Sequence, residues 1–168
     1  MRIELYEIMM PAGLRFDWLS LADAGRHVTP ELAVIHFKGE CDAQDLRPEW
    51  GYPGALGWTN ISDGQIQPFI DIDCEGIRLL LERDLMAAPK SRRDPALGRA
   101  IARVLAHELY HFLASTRKHT STGIAKGVFG PEDLLGQTLL FGEKEYAALI
   151  KRRRNLVAQA AGLLKSSQ

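Results

Sequence analysis

The chain has two cysteines in 168 residues, Cys41 and Cys74, and nothing resembling a CxxC pair. That excludes a cysteine-built zinc ribbon, a thioredoxin-type redox motif and a small disulfide-dense scaffold. Net charge is missing too: 21 basic residues balance 21 acidic ones, so nothing draws the whole molecule toward nucleic acid or an anionic membrane. No apolar run is long enough to span a bilayer, and there is no internal repeat or low-complexity segment. The opening MRIELYEIMM has only Arg2 as a basic residue and no sustained apolar stretch after it, so it does not read as a signal peptide. Two localisations stay open: export with a signal already removed, or the cytoplasm. What is present is an ordinary composition, 46% hydrophobic and 25% charged, which fits a single domain over residues 1–168 with its own core.

The chemistry is concentrated between Ile101 and Lys126, in IARVLAHELYHFLASTRKHTSTGIAK. His107 and His111 stand four apart in the HExxH pattern. On a helix that spacing puts both imidazoles on one side, where they can grip a single zinc ion. Glu108, beside the first imidazole, is placed to act as general base on water at the metal and not as a ligand. Leu97, Ile101, Val104, Leu105, Leu109 and Phe112 recur at three- and four-residue steps. This apolar stripe predicts a helix from about Pro95 to about Ala114, with Asp94 as its N-cap. Two half-buried imidazoles without partners are costly, and a metal removes that cost.

A catalytic zinc takes three protein ligands and keeps a fourth position open. His119, eight residues after His111, is the candidate for the third. Ser115 and Thr116 compete with helical backbone bonds, so the helix should end near Ser115 and let the chain turn back toward the metal. The rival is a carboxylate from a later helix, with Glu132, Asp133, Glu143 and Glu145 all available. Tyr110, between the two histidines, is expected to point away.

The run HELYHFLASTRKHTSTGIAK, His107 to Lys126, resembles the zincin peptidases, and more narrowly small bacterial metzincin-like proteins that read HExxHxLxGxxxHxxxGIM. Leu139 to Arg153, LLFGEKEYAALIKRR, is similar to the LLFTPEQAxLIRxR stretch that follows in those proteins. Together these cover roughly the C-terminal third of the chain. The resemblance implies zinc ligation by His107, His111 and His119, with Glu108 as the base. It also implies the zincin plan: α+β, a small mixed sheet with an edge strand over the active-site helix, and a C-terminal helix closing the lower side. The implied function is that of a zinc metalloendopeptidase, a monomer acting on peptide or protein substrates, with no nucleic acid or membrane span involved. The alternatives are a zinc amidase acting on non-peptide substrates and a zinc-binding module without catalysis. Three departures are plain. Ala114, Ser115 and Thr116 occupy the region where ordinary metzincins end the active-site helix with glycine, the interval between the second and third histidines is two residues longer than in ordinary metzincins, and Ala125 stands where the narrower pattern has the methionine of GIM.

Elsewhere, the alternation in residues 1–10 predicts a strand, and Leu14, Trp18, Leu21 and Ala22 predict a short amphipathic helix ending at Gly25. His27 reads as a surface residue. Leu32 to Phe37 predicts a buried strand with His36 facing outward. Residues 38–64 read as a long irregular loop whose Trp50, Tyr52 and Trp58 either line a groove or anchor the loop. Gln65 to Asp73 alternates around Pro68, the mark of an edge strand, serving either as a substrate-binding edge or as one merely guarded by proline and acids. A helix follows from about Glu75 to Ala87. Cys41 and Cys74 flank the loop and form either a disulfide in an exported protein or two free thiols. Thr120 to Lys126 should turn beside the metal, and Pro131 opens a short helix. The last helix runs from about Glu143 to Leu164, with Tyr146, Leu149, Ile150, Val157, Ala161 and Leu164 packed and the basic run 151–154 solvated.

Overall fold

The helix carrying the histidines is the axis of the molecule. A computed structural model describes residues 1–26, 29, 31–46 and 54–166, apart from the side chains of 162–166. In it this helix, α4 below, spans Lys90–Leu113. From Ala100 to His111 every residue is buried, the signature of a helix with partners on all sides and not of a surface amphipathic one. Asp94 is not its N-cap, because the helix begins a turn earlier. Arg93 donates to the carbonyls of Ala88 and Met86, which closes the preceding turn against the new helix. Asp94 instead accepts from the Ala43 amide at 2.7 Å and ties the segment after the first strand to α4.

The elements in order are α1 (Arg2–Met9), a 3₁₀ turn (Met10–Ala12), α2 (Leu21–Ala24), β1 (Val34–Lys38), β2 (Gly57–Ser62), β3 (Gln65–Asp73), α3 (Cys74–Ala87), α4, α5 (Pro131–Leu135) and α6 (Glu143–Ser166). The class is α+β with a small mixed sheet, as the sequence predicts. The N-terminal segment, however, is a helix and not a strand. Leu5, Ile8, Met9 and Ala12 are buried at helical spacing, whereas Ile3, which the alternation would bury with Leu5, is 76% exposed. Glu4, on the same helix, meets the fully buried Arg103 of α4 at 2.7 Å. Arg103 also donates to the carbonyls of Asp133 and Gln137, so its whole fork is satisfied and joins α1, α4 and the end of α5. The expected helix from Leu14 shrinks to Leu21–Ala24. His27, Trp50 and Tyr52 lie outside the described residues.

The sheet order is β1-β3-β2, with β1 parallel and β2 antiparallel to β3. The proline-bearing strand is therefore central, and the edge beside α4 is β2, which the sequence reading leaves inside the irregular loop. Pro68 is tolerated because pairing with β1 starts only at Phe69 and the register with β2 slips between Thr59 and Ile61. Its missing N–H thus falls in a bulge. The β2–β3 turn is Asp63-Gly64, both at positive φ, the two-residue hairpin signal. Ile70 and Ile72 point into the core. His36 faces outward as predicted and bonds Asp71 at 3.1 Å. β1 is half-buried along its length, as befits the opposite edge.

On α6, Leu149 and Leu156 are buried but Val157 is 63% exposed, contrary to the predicted face. In the basic run, Arg152 pairs with Glu31, and Lys151, Arg153 and Arg154 are exposed. Among the described residues no helix is long and apolar enough to cross a membrane.

Cys41 and Cys74 are joined, with Cα atoms 5.0 Å apart. The bond pins the chain after β1 to the first residue of α3, closing a loop of sequence separation 33. Unreduced protein treated with an alkylating agent should gain no alkyl group by mass. Replacing the pair (Cys41→Ser with Cys74→Ala) should lower stability in urea unfolding by about 3–4 kcal/mol, from the greater freedom of the opened loop in the unfolded chain.

Candidate metal centre

Helix α4 delivers two imidazoles and the turn after it delivers a third. His111 Nε2 lies 2.9 Å from His107 Nε2 and 3.1 Å from His119 Nε2, and the three form the one such ligand cluster among the described residues. The other ring nitrogens decide what these approaches mean. His107 Nδ1 is 2.7 Å from the Ile124 carbonyl, and His111 Nδ1 is 2.7 Å from the Thr116 carbonyl. A carbonyl only accepts, so each Nδ1 carries the proton and each Nε2 presents a bare lone pair. Two facing lone pairs cannot hydrogen-bond each other; they are satisfied by a cation between them. In a tetrahedral site with bonds of about 2.0–2.1 Å, ligand nitrogens lie roughly 3.3 Å apart, so the two approaches to His111 Nε2 need open by only a few tenths of an ångström to admit a metal ion, and the ligand atoms of all three rings lie within 4.8 Å of one another. Burial keeps the rings neutral, as ligation requires: it pushes the His107 pKa down to about 4, against the backbone bond to Ile124, and it lowers that of His111 as well.

The turn that brings His119 back is built from local chemistry. Ser115 takes a left-handed conformation, φ 47°. The Thr116 amide reaches back to the His111 carbonyl at 3.1 Å and the Ser115 amide to Phe112 at 3.2 Å, the two bonds of a Schellman end. Thr116 Oγ1 then accepts from the Lys118 amide. Beyond this turn, Thr120 bonds Ala125 through the backbone and Ile124 bonds Leu140. Gly123 sits at φ 72°, where an added Cβ would come 2.5 Å from the Leu140 oxygen, so only glycine allows the loop to aim the Ile124 carbonyl at His107. Ile124 and Ala125 are buried beside the triad, and no methionine stands there.

Glu108 turns toward the sheet. Its carboxylate Oε2 lies 2.8 Å from the Thr59 hydroxyl, which is also 3.0 Å from the Glu108 carbonyl. The strand can come this close because Gly57 has no side chain: a Cβ there would meet Val104 at 2.9 Å and the Glu108 Cγ at 3.2 Å. Burial pushes the Glu108 pKa up to about 7, while bonds from the Thr59 side chain and backbone pull it the other way. Thr59 is the residue that sequence reasoning misses, and the Asp63-Gly64 hairpin signal is what would place it on a strand. Tyr110 packs against Phe141, ring centres 5.4 Å apart, away from the cleft as expected. None of the rival carboxylates joins the cluster. Asp133 is held by Lys126 and the Gly130 amide, and Glu145 lies against Gly142.

The triad and Glu108 line a cavity of about 560 Å³ whose walls include Leu56, Trp58, Ile61, Ile66, Val128 and Phe129. Trp58 is thus groove-lining, with Lys38 Nζ 4.1 Å from its ring centre. The residues present can hold a metal ion with one side open to this cavity. Comparison with models of known protein families, with curated proteins and with solved structures finds no match to the chain.

If the three imidazoles hold a metal ion, loss of any one of them weakens the chelate. His111→Ala should abolish metal retention in elemental analysis. His119→Ala should weaken zinc binding on the order of a hundredfold or more in titration, whereas Glu143→Ala and Glu145→Ala should leave it unchanged.

Proposed function

We propose that the chain is a zinc-dependent endopeptidase of the zincin kind, with His107, His111 and His119 as ligands and Glu108 as general base. The observation that carries this reading is the buried Glu108 carboxylate beside three convergent imidazole nitrogens on one open cavity. Three imidazole ligands with a fourth position free suit zinc better than metals that prefer oxygen ligands. Bound zinc would polarise the scissile carbonyl and lower the pKa of water.

The rest is done by the chain's own residues. Glu108 takes a proton from the attacking water and passes it to the leaving amine. Thr59 fixes the carboxylate oxygen that faces the sheet, so the base does not have to be ordered at the moment of reaction. The edge strand β2, which forms a wall of the cavity through Gly57, Trp58, Thr59 and Ile61, suits an extended peptide adding to the sheet by backbone pairing. The Cys41–Cys74 bond supports an exported protein, since disulfides persist in oxidising compartments.

Glu108→Ala should retain one zinc per chain by elemental analysis and lose cleavage of a broad peptide library. Full turnover by that variant would end the assignment of the base. Thr59→Val should keep the metal and lower kcat by roughly ten- to a hundredfold with little change in KM, and Thr59→Ser should restore most of the loss.

A further inference from the structure

The cavity has exposed apolar side chains on its walls, with Ile61 46% and Val128 71% exposed. Among the lining residues, two side chains other than the histidines are ionisable, Glu108 and Arg117. Glu108 is held by Thr59. Arg117 is the opposite case. It is exposed, and the ion pairs of the described residues engage Arg26, Arg78, Arg99, Arg103 and Arg152 but not Arg117.

The backbone on either side of Arg117 is nonetheless pinned. The Thr116 carbonyl accepts from His111 Nδ1, the Lys118 amide donates to Thr116 Oγ1, and His119 stands in the triad. A permanent cation with a planar, two-pronged donor face is therefore carried on a turn whose flanking residues are hydrogen-bonded in place, with its charge left for something that enters the cleft. A carboxylate is the group that matches the fork of a guanidinium.

We infer that Arg117 determines specificity by pairing with a carboxylate of the bound peptide, either an acidic side chain or a free C-terminus, while the neighbouring apolar walls take hydrophobic side chains. The inference rests on the cleft being the peptide site proposed above. It requires no hydrolysis to be tested.

The experiment uses the full chain loaded with zinc and carrying Glu108→Ala, so that peptides bind without being cut. Calorimetry compares peptides that differ only by Glu or Gln at one position, each with a free or an amidated C-terminus. The carboxylate-bearing member should bind about tenfold tighter, and the pair in which the ratio appears identifies the carboxylate as side-chain or C-terminal. Arg117→Gln should bring that ratio to about one, and Arg117→Glu should invert it in favour of Gln over Glu, with zinc content equal to the parent's as the check on folding. Equal affinities in the parent, including no binding of either peptide, would overturn the assignment. So would a ratio that survives Arg117→Gln, because the carboxylate would then be held by the metal and not by Arg117. A preference that depends on Arg117 in a chain that cuts none of the peptides when Glu108 is intact would remove the peptidase reading alone.

Discussion

At the centre of this protein two imidazole nitrogens with no proton between them lie 2.9 Å apart, each ring held in that state by a carbonyl at its far side. Left alone this arrangement is repulsive; with a cation it becomes a chelate. Much of the surrounding architecture serves to hold the rings there. The Ile124 carbonyl is aimed by a glycine turn fastened to Leu140, and the Thr116 carbonyl by the helix end that also swings His119 inward. Ligand orientation is thus set by backbone groups, which have less freedom than side chains to relax away.

Such a constraint needs a rigid base. The buried α4 supplies it, and Arg103, one helical turn before His107, locks that helix to the N-terminal helix and to the end of α5. Removing one partner of this buried cluster would strand the others without water to replace it, a far larger loss than that of a surface pair. The Lys126–Asp133 pair at 2.6 Å extends the same connection to the loop that carries Ile124. A continuous set of polar contacts therefore runs from Glu4 to the ligand shell.

The sheet contributes the second half of the site. Gly57 lets β2 press against Val104 and Glu108, and the contact gives the Glu108 carboxylate its partner in Thr59 while leaving the same strand as a wall of the cleft. One missing methyl group thus couples the position of the Glu108 carboxylate to the geometry of the groove.

The sequence by itself determined what depends on neighbours a few residues apart. Helical spacing placed His107, Glu108 and His111 on one helix, serine and threonine ended it after His111, and the periodicities outlined α3, β3 and α6 closely enough to define an α+β chain. It misread what depends on distant partners. The N-terminal segment alternates like a strand but is a helix, because Leu5, Ile8 and Met9 find the core and Glu4 finds Arg103, 99 positions away. Pro68 argues locally for an edge, yet strand order is a matter of which neighbours arrive, and a bulge made room for proline in the central strand. That His119 and not a later carboxylate stands beside His107 and His111, and that Thr59 pairs with Glu108 across 49 positions, likewise emerges only in three dimensions. Periodicity reports which face of an element is apolar, but which surfaces meet is settled when the whole chain competes to bury them at once.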